Sequence, residues 1–310
     1  MKLVTIESNQ TMRLGIKVED RLFDVEKALE VAPQAEIPTD VMQVISSGEA
    51  GISALSRYME RVLESHPDHS SFIIPESEVS YGPCVTRPGK IICVGLNYRK
   101  HAEETKAPIP QFPILFNKFS NTLTGHNKDI PLPVKVTKEV DYEAELVIVI
   151  GKKAKYVKKE KALEHVFGYC AVNDLSARDL QMRTPQWLLG KTCDSFSPLG
   201  PYLVTADEVG NPNRLEIKAV VNGEVRQHSN TSDMIFYCDE IVSYISQHMT
   251  LMPGDIILTG TPEGVVLGYP KEKRVYLKDG DSVTIEIEKL GKLTNRMIDE
   301  RSEEMHTLSD

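Results

Sequence analysis

The stretch Asp141-Tyr142-Glu143-Ala144-Glu145-Leu146-Val147-Ile148-Val149-Ile150 decides how the rest of the chain is read. Its second half is a β-branched apolar run, the signature of a buried strand. Side chains alternate faces along a strand, so Glu143 and Glu145 point the same way, with Asp141 on that side too. Carboxylates one pleat apart repel each other, and burying them is unfavourable without a counter-charge. A divalent cation would supply that charge. A strand that emerges into solvent at its acidic end accounts for the same residues with no ion, and the stretch alone does not choose between the two.

Around it lie 310 residues, 41% of them hydrophobic and 26% charged, enough for one large domain or a catalytic domain with a smaller companion. The net charge of −9 argues against nucleic acid or an anionic membrane as the main partner, because both demand a basic surface. A small anionic substrate remains compatible, since a local metal inverts the field within one pocket. Five cysteines (Cys84, Cys93, Cys170, Cys193 and Cys238) are scattered and never form a C-x-x-C pair, which suits reduced thiols in a cytosolic protein. The apolar part of the N-terminus is too short for a secretory segment, and no window approaches the roughly 18 apolar residues of a membrane span. The cytoplasm is the expected location, with no membrane partner.

Residues 1–80 read as a small α/β domain: two strands at 2–7 and 13–19, then helical segments at 40–47 and 50–65, with no constellation that carries chemistry. A second rhythm, the candidate for a catalytic domain, occupies 81–310. A buried strand, Lys90 to Gly95, precedes a short helix in which His101 and Glu104 are three apart and share a face. Glycine and proline bound that helix, as they would a mobile lid, although a solvated helix face has the same pattern. The strand 165–172 ends at Asn173-Asp174. Asp174 stands where it could cap the helix that follows, and it shares one stripe with Arg178 and Gln181, a plausible pocket wall. Asn222-Gly223 marks a hairpin turn, 239–249 an amphipathic helix, and Leu258-Thr259-Gly260-Thr261-Pro262 a strand that stops at a polar turn. The tail from 295 onward is polar and reads as a frayed end or an interface.

Taken together, six pieces in order resemble the fumarylacetoacetate hydrolase superfamily. They are Gly95 to Glu104, Asp141 to Leu146, Asn173 to Gln181, Gly190-Lys191, Val221 to Glu224, and Leu258 to Val265. The resemblance implies an α+β fold: a mixed β-roll catalytic domain carrying a small N-terminal α/β domain, and a homodimer. It implies a Mg²⁺ or Mn²⁺ ion, with Ca²⁺ able to stand in during crystallisation, held by Glu143, Glu145 and Asp174. Three hard oxygen ligands with no sulfur or imidazole suit such an ion and leave open positions for a small anionic 2-oxo acid substrate.

The resemblance also implies roles. Lys191 would place positive charge beside the developing enolate, Arg178 and Gln181 would grip the distal part of the substrate, and Thr261 would donate to its carboxylate. His101, oriented by Glu104, would act as base. The expected reaction is C–C bond cleavage in a 2-oxo or β-diketo acid, by hydrolysis or decarboxylation. Isomerisation or tautomerisation of hydroxymuconate-type diacids passes through the same enolate and is the alternative. A non-catalytic metal-binding protein of this fold is the alternative from another class.

Overall fold

The computed structural model describes residues 1–9, 11–66 and 68–300. The strand Ala144–Ile150 is buried at every position, and its alternation divides the molecule. Leu146, Ile148 and Ile150 face one hydrophobic core, and Val147 and Val149 face another on the opposite side of the sheet. A strand covered on both faces must be apolar on both, which is why the run Leu146 to Ile150 shows no polar alternation. The chain is a mixed α+β fold built on several sheets, as the resemblance implies.

The largest sheet has twelve strands. Ala144–Ile150 runs antiparallel to Val166–Asn173 on one side and to Ile256–Leu258 on the other. Ile91–Gly95 then joins parallel to Ile256–Leu258, and Ile114–Lys118 closes that edge. Toward the other edge, Val166–Asn173 pairs with Ser197–Thr205, which in turn pairs with Lys2–Ser8. The N-terminal strands therefore continue the same sheet, and Leu3, Leu14 and Phe23 share a core with Val147, Leu199 and Leu203. The helix Val41–Ser65 covers this face. It starts at Asp40, whose carboxylate accepts from Gln43 N at 3.0 Å, and it breaks at Gly48, between the two helical segments read from sequence.

A second sheet of five strands packs on the other core. Its members Glu216–Val221 and Ser282–Ile287 alternate half-exposed with buried residues, as strands with one wet face do. Gly291–Asp299 belongs to this sheet, and Asn295 is buried, so the tail is ordered at least to Asp299 rather than frayed from 295. The remainder of the tail, 301–310, lies outside the described residues. In the helix Cys238–His248, Ile241, Val242 and Ile245 enter the core as their spacing predicts, while Met249 falls beyond its end and is partly exposed. Among the described residues no helix is long and apolar enough to cross a membrane.

Candidate metal centre and active site

Antiparallel pairing sets Ala144 opposite Asn173, and this brings the acidic residues of two strand ends together. Asn173 Oδ1 accepts from Glu143 N at 3.0 Å, and Asp174 N donates to Glu143 O at 2.9 Å. Carboxylate oxygens of Glu143, Glu145 and Asp174 lie within 4.8 Å of one another. The three residues are 6%, 3% and 0% exposed, so the acidic end of the strand does not emerge into solvent. The cap expected at Asp174 is not made: the next helix is Arg178–Gln181 and starts from Ala177. Asp174 turns inward because two lysines hold its carboxylate there.

Lys191 Nζ lies 2.7 Å from both Glu143 Oε2 and Asp174 Oδ2. Lys118 Nζ pairs with Asp174 Oδ1 and also donates to Phe196 O at 2.8 Å. Arg178 Nη2 lies 2.7 Å from Glu143 Oε1, and its Nη1 donates to Gln181 Oε1 at 2.9 Å. Burial alone would favour neutral Lys191, but Asp174 and Glu143 outweigh it and hold the ammonium charged beyond the usual lysine range. Burial likewise works against the Glu143 carboxylate, yet Lys191 and Arg178 prevail and bring it to about 2. Glu145 goes the other way, raised well above the carboxylate range by burial and by the nearby Asp174 and Glu143. Its Oε2 accepts from Gly260 N at 2.8 Å, and among the described residues it has no ion-pair partner.

A cavity of about 690 Å³ opens over these groups. Every site residue read from the sequence lines it except Asp174, which lies beneath, wholly buried. His101 and Glu104 sit on the helix Arg99–Glu104, which Arg99 ties to Met234 O at 2.5 Å. His101 Nδ1 is 3.4 Å from Glu104 Oε2, a long contact of the kind that tightens around substrate. Glu104 also accepts from Gly264 N at 3.1 Å. Lys191 reaches the floor because Gly190 lets its short helix press onto Arg178–Gln181; a Cβ there would meet Ala177 O and Gln181 N at 2.5 Å. Trp187 lines the cavity wall, whereas Phe196 is core and Tyr237 takes no part in the lining.

Three contributors escape sequence reasoning. Lys118 lies in an apolar strand with no acidic neighbour in sequence. Gln227 donates to Thr261 Oγ1 at 2.9 Å and accepts from Ala144 N at 2.9 Å, tying the threonine turn to the acidic strand; the hairpin signal placed its strand but not its side chain. Asp141, read from the strand alternation as sharing a face with Glu143 and Glu145, stands outside the triad.

A fold of mixed sheets with a buried carboxylate triad under a cationic, His-bearing cavity defines a class of small-molecule enzyme site. The chain belongs to the fumarylacetoacetate hydrolase family: residues 90–298 match the domain described as "Fumarylacetoacetate (FAA) hydrolase C-terminal". It is 46% identical over 264 residues to a mitochondrial oxaloacetate tautomerase of Bos taurus, covering 84% of this chain and 81% of that protein. It is 39% identical over 302 residues to the oxaloacetate tautomerase YisK of Bacillus subtilis, covering 96% and 100%. Among solved structures it superposes, with a TM-score of 0.76 and 32% identity, on a maleylpyruvate hydrolase from Sphingobium in complex with manganese(II) ion and pyruvate, covering 96% of this chain and 99% of that one.

Proposed function

We propose that this protein is a divalent-metal-dependent enzyme of small 2-oxo acids, and that its reaction is the keto–enol interconversion of oxaloacetate. The observation that carries the reading is the buried triad Glu143, Glu145 and Asp174 at the floor of a cavity whose wall holds His101 and Glu104. The donor set fits a hard dication: carboxylates only, with Glu145 in no ion pair among the described residues. Bound there, Mg²⁺ or Mn²⁺ supplies the Lewis acidity that favours the enolate form of a 2-oxo acid. The choice of oxaloacetate is supported by the two tautomerases that this chain resembles over most of its length.

The chain's own residues then divide the work. Lys191 and Arg178 keep positive charge beside Glu143 and stabilise negative charge on an incoming oxygen. Glu104 engages Nδ1 of His101 and leaves Nε2 to take a proton from the carbon next to the keto group. The same nitrogen returns that proton to the oxygen, so nothing is gained or lost from the substrate. Thr261, with its oxygen already accepting from Gln227, keeps its own proton to donate to the substrate carboxylate. Gln181 is set by Arg178 to contact the far end.

C–C cleavage, the reaction first expected, stands as the second reading. A His–Glu pair can also activate water, and the maleylpyruvate hydrolase has the same fold. The test is to follow enol-oxaloacetate by ultraviolet absorbance with Mn²⁺ or with EDTA, while a coupled assay counts pyruvate. Metal-dependent loss of the enol without pyruvate supports the tautomerase. Pyruvate appearing at the same rate supports cleavage, and no metal-dependent change in either overturns the oxaloacetate reading.

A further inference from the structure

The carboxylate that the triad leaves out has its own set of partners. Asp141 is 0% exposed and ends the short strand Val140–Asp141. Its Oδ1 accepts from Val266 N at 2.9 Å, and its Oδ2 from Leu267 N at 3.0 Å and Arg178 Nε at 2.9 Å. The same guanidinium reaches Glu143 through Nη2. On the other side of the cavity, the segment that Asp141 holds by its backbone also carries Gly264 N, which donates to Glu104, the partner of His101. The neighbouring Tyr142 hydroxyl donates to Gly264 O at 2.9 Å and fixes the same segment. One polar path therefore runs from Glu143 through Arg178 and Asp141 to the 264–268 segment, and on to Glu104 and His101.

Two consequences follow from the charges. Without Asp141, Arg178 would give its full charge to Glu143, which Lys191 already touches, leaving less negative potential there for a cation. Without Asp141, the first turn of the 3₁₀ helix Val266–Gly268 would also lose the acceptor for its leading N–H groups. We propose that Asp141 is a positioning residue which does both jobs with one carboxylate: it draws Arg178 partly off Glu143, and it fixes the 264–268 segment that holds Glu104 toward His101. It touches neither substrate nor the reacting atoms.

The inference rests on the metal reading but not on which oxo acid is turned over, so it is tested without substrate. The full-length protein and Asp141→Asn are titrated with Mn²⁺ by calorimetry, and backbone hydrogen exchange is followed in metal-free samples for peptides covering 260–269. An asparagine is neutral and cannot accept at both oxygens. The expected result is Mn²⁺ affinity lower by about 10- to 100-fold, the usual size for a residue that orients metal ligands from behind, together with faster exchange in 260–269. A change in only one of the two readouts, or in neither, overturns the double role. A wild type that binds no Mn²⁺ overturns the metal reading itself.

Val266→Pro covers the case in which Asp141→Asn does not fold. Val266 begins its 3₁₀ turn and Val265 is extended with ψ 156°, a backbone that a following proline tolerates. This variant removes one N–H to Asp141 and leaves every charge in place. Exchange in 260–269 should quicken while Mn²⁺ affinity stays within about twofold; unchanged exchange overturns the proposal.

Discussion

Replacing Gly268 by alanine should slow turnover at a modest net cost in stability. Gly268 ends the 3₁₀ helix Val266–Gly268, outside the left-handed region, so alanine fits its backbone. What the methyl group would strike is the carboxylate of Glu104, which occupies the space a side chain would fill. Glu104 is flexible and can swing away, but then it gives up Gly264 N and the contact with His101 Nδ1. A hydrogen bond to a charged group is worth about 1.5–3 kcal/mol. At 1.36 kcal/mol per decade, losing that much orientation of the base lowers kcat by about 10- to 150-fold. The lost bond also lowers stability, and the about 0.4–1 kcal/mol that a Gly→Ala change gains from the unfolded chain offsets only part of that. The assay is steady-state turnover of enol-oxaloacetate beside urea denaturation, with Glu104→Ala and the double variant completing a cycle. Once Glu104 is gone, the added methyl should have no further effect. A kcat for Gly268→Ala within about twofold of wild type, or a drop in the double variant equal to the two single drops multiplied, would refute the reasoning.

Further outcomes follow from the charges around the floor of the cavity. Glu145→Gln keeps an acceptor for Gly260 N and replaces a carboxyl whose ionised form burial, Asp174 and Glu143 disfavour, so metal-free melting temperature should hold or rise while Mn²⁺ no longer raises it; thermal scans with and without Mn²⁺ decide this. Lys118→Met strips Asp174 Oδ1 and Phe196 O of a wholly buried partner. Chemical denaturation of the metal-free protein should show a loss of about 3–5 kcal/mol, the usual consequence of breaking a buried pair from one side. His126 accepts from Thr294 N at 2.9 Å, and burial pulls its pKa from 6.5 to about 4. The unfolded chain therefore binds this proton first, and stability should fall as pH drops from 6.5 toward 4. His126→Gln should flatten that part of a denaturation series against pH; an unaltered slope there counts against the assignment.

Much of the site was legible because its residues are close in sequence or fall at regular spacing. Glu143 and Glu145 are one pleat apart, Arg178 and Gln181 lie on one helical face, and His101 and Glu104 are three apart on another. Short-range geometry is fixed by the local backbone, so it can be read before any tertiary contact is known. Asp174 was placed by resemblance, while its apparent local role, capping a helix, lost to the two lysines that the fold brings against it.

By itself, the sequence determined the acidic strand, the apolar run that buries it, the helix carrying His101 and the family to which these belong. Only the tertiary structure decided which carboxylates converge and which cations neutralise them. It placed Lys118 under Asp174, 56 residues away in sequence, and gave Asp141 to Arg178 and the Val266–Leu267 backbone. It also continued the large sheet through the N-terminal strands. The reason is electrostatic: carboxylates of like sequence context differ only in the charges and N–H groups that surround them once buried, and those come from distant parts of the chain.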